Sequence, residues 1–209
     1  MRVPSHDVVL EGNLTIPPDA RGIVLFAHGS GSSRHSTRNR FVAGALNDGG
    51  LATLLMDLLT AEEEQIDLRT RHLRFDIEML AGRLVDAVDW LDEQKETRRL
   101  RVGTFGSSTG AAAALIAAAR RPRHVHAVVS RGGRPDLAGP SLALVEAPTL
   151  LIVGGRDEVV IDLNEQAMAQ IETNRVDLEI VPGAGHLFEE PGTLEEVARL
   201  AREWFTRHL

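Results

Sequence analysis

Residues 100–105 form an apolar run that stops at Gly106-Ser107-Ser108-Thr109-Gly110 and gives way at once to the alanine-rich stretch 111–120. A chain that passes from strand to helix in so few residues must turn sharply, and that corner restricts the folds open to it. The turn strains the backbone of its middle residue, and side chains two positions to either side would collide with the neighbouring strand and helix. Glycines at 106 and 110 remove the collision. Ser108 is therefore expected above one end of a sheet, as a candidate nucleophile. The plainer alternative is that it only caps the helix beginning near Thr109.

The remaining segments extend this pattern in both directions. Residues 8–16 read as an opening strand or hairpin ended by Pro17-Pro18, and 22–27 as a buried strand bounded by His28-Gly29-Ser30-Gly31. A helical pattern over 39–46 stops at Asn47-Asp48-Gly49-Gly50, and 51–56 is the next strand. Apolar residues at 73, 77, 80, 84, 88 and 91 lie three and four apart, which predicts one long amphipathic helix over 69–94. Beyond the 100–105 strand and the 109–121 helix come strands 125–130, 149–153 and 176–181, and helices 163–171 and 194–208. Strands alternating with helices predict an α/β fold, a mostly parallel sheet covered on both faces, with ligands gathered at the carboxyl ends of its strands.

Composition removes several classes of function. The 209 residues include no cysteine, so disulfides, thiolate metal sites and a cysteine nucleophile are excluded together, and a reducing cytoplasm is the expected setting. A formal charge of −7 argues against a nucleic-acid surface. The polar first residues show no secretory pattern, and the longest apolar stretch, 111–119, falls well short of the roughly 20 residues that cross a bilayer. One domain over 1–209 is expected, with no membrane partner, while oligomeric state is left open. Glu62-Glu63-Glu64 reads as a solvated loop or helix start rather than a metal site. Arg34 replaces the third glycine of a dinucleotide fingerprint begun at Gly29, and residues 103–110 lack the lysine of a phosphate loop. No cofactor and no metal are expected.

A serine hydroxyl needs a base within reach and a third group to orient that base. His186, in Val181-Pro182-Gly183-Ala184-Gly185-His186, and Asp157, in Val153-Gly154-Gly155-Arg156-Asp157, each follow a predicted strand directly. Asp162 and Asp136 compete with Asp157, and the other histidines, at 6, 35, 72, 124, 126 and 208, read as surface residues. Oxyanion donors are expected from the backbone N–H of Thr109 and, in the small-residue loop after the 22–27 strand, the N–H of Ser30, with His28 bracing that loop. Arg131 and Arg134 lie beyond a predicted strand end, where they would bind an acidic substrate group or, as expected here, remain solvated.

With its His28-Gly29-Ser30-Gly31-Ser32-Ser33 loop, the elbow at 106–110, and the segments at 154–157 and 183–186, the chain resembles a small α/β-hydrolase of the dienelactone-hydrolase-like group. Dienelactone hydrolases proper use cysteine where this chain has Ser108. The resemblance implies a serine hydrolase acting on a carboxylic ester or a related small acyl compound through an acyl-enzyme, with Ser108, Asp157 and His186 as the triad. A thioesterase or lactonase with the same triad is the alternative within hydrolases, and a non-catalytic binding or regulatory module is the alternative outside them. The stretch between residues 130 and 149 leaves room for little or no lid, so an open or thinly covered site is expected.

Overall fold

A computed structural model describes residues 1–173 and 175–209. Eight strands form one sheet in the order β1-β2-β4-β3-β5-β6-β7-β8. The edge strand β1 (Arg2–Ser5) and β2 (Val8–Thr15) beside it run antiparallel to their neighbours. From β4 (Ala52–Met56) and β3 (Gly22–Ala27) onward all pairings are parallel. They continue through β5 (Arg101–Ser107), β6 (Val125–Arg131), β7 (Thr149–Gly154) and β8 (Val176–Val181). Strands β3, β4 and β7 are buried at every residue, as a sheet covered on both faces requires.

Helices α1 (Thr37–Asp48) and α6 (Thr193–His208) cover one face, with Phe26, Phe105, Val129, Phe188 and Phe205 between them and the sheet. The other face carries α3 (Ile77–Glu93) and α4 (Thr109–Arg120). Helix α4 is buried from Thr109 to Ala118 because it is enclosed by strands, α3 and the segment Pro135–Leu144, and its alanines let those neighbours approach closely. Pro135–Leu144, two 3₁₀ pieces kinked at Gly139, packs on α4 and on α5 (Glu158–Met168), leaving the strand ends without a lid. Among the described residues no helix is long and apolar enough to cross a membrane.

The structure corrects the long helix expected over residues 69–94. Glu62, Glu63 and Glu64 form the first turn of α2 (Ala61–Thr70), with a capping box between Thr60 and Glu63. Helix α2 ends at Arg71 in the left-handed region, and a 3₁₀ turn over Leu73–Phe75 precedes α3, which Asp76 caps through the Met79 N–H. The cause is Asp67: its buried carboxylate accepts the N–H groups of Leu73 and Arg74 and the Nε of Arg74, which redirects the chain. Apolar periodicity runs unbroken through this interruption and so conceals it. Arg83 then ties α3 to α2 through two bonds to Glu63 and one to the Leu58 carbonyl.

Replacing Asp67 by alanine leaves two amides and a guanidinium without their acceptor. The expected loss is about 3 kcal/mol, measured by urea unfolding. A loss below about 1 kcal/mol would show that the carboxylate does not hold the break between α2 and α3.

Candidate active site

Ser108 joins β5 to α4 at φ 50° and ψ −123°, a region that side-chain-bearing residues occupy only under constraint. The constraint is visible on both sides. The Ser108 N–H donates to the Arg131 carbonyl at 3.3 Å, while the Ser108 carbonyl accepts from Ala111 at 3.1 Å and Arg134 at 3.0 Å. A Cβ on Gly106 would lie 2.3 Å from the Ala111 Cα, and one on Gly110 would lie 2.4 Å from the Ala27 oxygen. The corner closes only because both are glycine. Ser108 is half-buried and lines a cleft of about 380 Å³ at the carboxyl ends of the strands.

Asp157 and His186 come from the loops after β7 and β8. The absence of a side chain at Gly154 lets those loops touch: a Cβ there would meet the Gly185 oxygen at 2.5 Å. The Asp157 N–H is fixed on the Gly154 carbonyl at 2.9 Å, and its carboxylate receives His186 Nδ1 at 2.6 Å. A carboxylate only accepts, so Nδ1 carries the proton and Nε2 is left as the basic nitrogen. The His186 loop is braced by Glu190, whose carboxylate takes the Gly185 N–H at 3.1 Å and is held below its ordinary pKa by that bond. His186 and Ser108 line the same cleft, although no hydrogen bond joins hydroxyl and imidazole; such links often tighten only around substrate. The rival aspartates are elsewhere: Asp136 is held by Arg134, and Asp162 is exposed on α5.

The loop after β3 passes close to the serine, since a Cβ on Gly29 would lie 3.1 Å from the Ser108 Cβ. His28 braces this loop. Its Nδ1 donates to the Gly29 carbonyl at 2.9 Å, and its Nε2 accepts the Leu58 N–H at 3.0 Å. Burial lowers the His28 pKa and keeps the ring neutral. A turn from Ser32 N–H to the Gly29 carbonyl leaves the Ser30 N–H uncommitted, as is the Thr109 N–H at the start of α4. Of these two candidate oxyanion donors Ser30 lines the cleft, whereas Thr109 is buried at the start of α4.

Arg131 departs from expectation. Rather than lying solvated beyond a strand, it is the last residue of β6 and only 7% exposed, whereas Arg134 is partly exposed and paired with Asp136. Asn39 and Arg38 of α1 also line the cleft, and Ser107 donates to Asn39 Oδ1 at 3.0 Å. A larger hollow of about 590 Å³ beside β1 holds Ser5, His6 and Asp86. There the Asp86 carboxylate contacts the Ser5 hydroxyl and the His6 imidazole alike, so the imidazole is engaged by the carboxylate and not by the hydroxyl. Among the described residues no group of three or more histidine, aspartate or glutamate side chains could hold a metal ion.

Alanine at 110 would press its methyl against the Ala27 and His28 carbonyls, and the expected cost is about 3 kcal/mol in urea unfolding. His28 supplies a pH test. Its folded pKa lies below the ordinary value of about 6.5, so its stabilising contribution is complete above that pH and declines as pH falls below it. His28→Gln keeps a donor and an acceptor without the titration. Between pH 7.5 and 5.5 the variant is expected to lose roughly 1 kcal/mol less stability than the parent; identical losses would count against the buried neutral ring.

The model of the dienelactone hydrolase family matches residues 10–208. The crystal structure of dienelactone hydrolase from Anabaena variabilis is 63% identical, covers all of this chain and 96% of its own, and superposes with a TM-score of 0.98. Est1E from Butyrivibrio proteoclasticus, 16% identical, covers 99% of this chain and 97% of its own with a TM-score of 0.82, a likeness of fold. Two Mycobacterium tuberculosis proteins provisionally named phosphoribosyl transferases are 61% identical over all 209 residues. The chain spans about half the length, 46%, of those curated relatives. This chain, with its α/β-hydrolase fold, belongs to the dienelactone hydrolase family.

Proposed function

We propose that the chain is a cofactor-independent serine hydrolase of carboxylic esters. The observation that carries this is the 2.6 Å bond from His186 Nδ1 to Asp157, which turns Nε2 into a base lining the cleft where Ser108 stands on its strained corner. In the proposed reaction Ser108 Oγ attacks the ester carbonyl while Nε2 takes the hydroxyl proton. The carbonyl oxygen becomes an oxyanion received by the N–H groups of Ser30 and Thr109. When the intermediate collapses, the carbon–oxygen bond to the alcohol breaks and the imidazolium returns its proton to the leaving oxygen. An acyl group then remains on Ser108. Water repeats the sequence, losing its proton to Nε2 and releasing the acid.

The same cycle serves a thioester or a lactone, differing only in the leaving atom or its tether. The phosphoribosyl transferase name belongs to proteins about twice as long, and we assign that activity to their part outside the matched stretch, because the hydrolase family covers residues 10–208 of this chain.

Ser108→Ala is expected to lose at least about 10⁴-fold in kcat on para-nitrophenyl esters, and Asp157→Asn a comparable amount. Intact-protein mass spectrometry should show one fluorophosphonate adduct, mapping to Ser108 and absent from Ser108→Ala. A folded protein that takes no adduct would favour the non-catalytic binding module. Relative kcat/KM across ester, thioester and lactone panels separates the remaining readings.

A further inference from the structure

Parallel strands all begin at one edge of their sheet, so the residues that open them meet in space however far apart they stand in sequence. Here that edge collects positive charge. Arg101 opens β5, about 20 Å along the strand from Ser107 and the elbow. His126 is the second residue of β6, and Arg175 directly precedes β8. Helix α6 ends at the same edge with Arg207 and His208 in its last turn. These five side chains and Glu146 line a pocket of about 360 Å³, at the small end of the range for ligand sites.

Backbone bonds fix the frame of this pocket. The Arg175 carbonyl accepts the Thr149 N–H at 2.9 Å, and the Pro148 carbonyl accepts the Val128 N–H at 2.9 Å and Trp204 Nε1 at 3.4 Å. The Trp204 ring packs on His208 with 4.6 Å between centroids. The charged side chains, by contrast, are uncommitted. Among the described residues Arg101, Arg175 and Arg207 form no ion pair and no side-chain hydrogen bond. Glu146, the one carboxylate in the lining, is exposed and pairs with none of them. His126 Nδ1 and His208 Nε2 have no partner either, which leaves each ring with hydrogen-bonding capacity unused. The histidines also register the surplus charge. Burial first, then Arg207, Arg175 and Arg101, lowers the His208 pKa against an opposing pull from Asp177, and burial first, then Arg101, lowers that of His126.

Cations in the last turn of a helix offset its dipole, which accounts for Arg207 and His208. It does not account for Arg101 and Arg175, which stand at strand starts. In a chain of net charge −7, three guanidiniums around one pocket repel each other unless an anion lies between them. We infer that this pocket binds a phosphoryl anion, free or carried on a small ester, held by Arg101, Arg175 and Arg207 with His126 and His208 in the wall. A doubly charged tetrahedral group offers oxygens to several planar donor forks at once, whereas a carboxylate has two oxygens to share among three arginines. The site lies at the edge of the sheet opposite the Ser108 cleft and does not depend on the esterase reading.

Calorimetry at low ionic strength, where exposed charges are least screened, tests the site with inorganic phosphate, pyrophosphate and glycerol phosphate, and with acetate as a singly charged control. The phosphoryl probes should bind more tightly than acetate, and their order separates a free ion from an ester as the preferred ligand. Arg175→Gln and Arg207→Gln should each weaken phosphate about tenfold. Both side chains are exposed, so each variant should keep the parent's urea midpoint. Arg69→Gln, on the exposed end of α2, and Arg131→Gln, in the cleft, should bind phosphate as the parent does. Proton–nitrogen spectra of the imidazoles give a second readout: phosphate should shift the His126 and His208 signals and leave His186 in place. Binding that survives in the Arg175→Gln, Arg207→Gln double variant, or that is lost in Arg131→Gln with only His186 shifting, would put the anion elsewhere and overturn the inference. So would the absence of saturable binding by all three phosphoryl probes, or acetate binding as tightly as phosphate.

Discussion

The contact between α4 and the strands beneath it governs the rest of this molecule. Gly110 lies against the Ala27 carbonyl and Gly106 against Ala111, so the helix starts almost on top of the sheet. No larger residue fits at either point. That closeness requires the buried alanines of α4 and sets Ser108 at φ 50°. The strain is of order 1–3 kcal/mol and is offset by the burial of α4 against strands, α3 and the 135–144 segment.

Charge around the cleft is arranged unevenly. Asp157 is matched to His186, Glu189 to Arg38, and Asp136 to Arg134. Arg131 stands unmatched although it is the most deeply buried of these groups. Surface pairs contribute little either way, whereas an uncompensated interior cation is a large local cost that the fold carries around its candidate nucleophile. That contrast in magnitude, rather than the number of arginines, separates Arg131 from its neighbours.

Much of the fold and part of the site were legible in the chain alone because their signals are local. A glycine-framed serine between an apolar run and an alanine run announces its own corner, and Asp157 and His186 each follow a strand immediately. The interruption at Asp67 was hidden, since a side chain reaching six residues ahead leaves the apolar spacing intact. Strand β1 was missed because Arg2–Ser5 is short, carries a proline and lies at the sheet edge. Helix α5 begins at Glu158, directly after Asp157, where sequence periodicity placed its start at 163. Arg131 was misread for a different reason. Its burial depends on pairing with β5 and on the approach of Phe188 from a loop 57 residues later, neither of which a linear pattern encodes.

Phe188 itself adopts φ 53°, an unusual backbone conformation for an aromatic residue, and its ring is almost fully buried. The same short turn presents the imidazole two residues earlier and lays the ring beneath the guanidinium of Arg131. Imidazole and aromatic ring thus share one piece of backbone, so a shift of one is transmitted to the other. A substitution in this turn would disturb the His186–Asp157 bond and the packing around the buried Arg131 together.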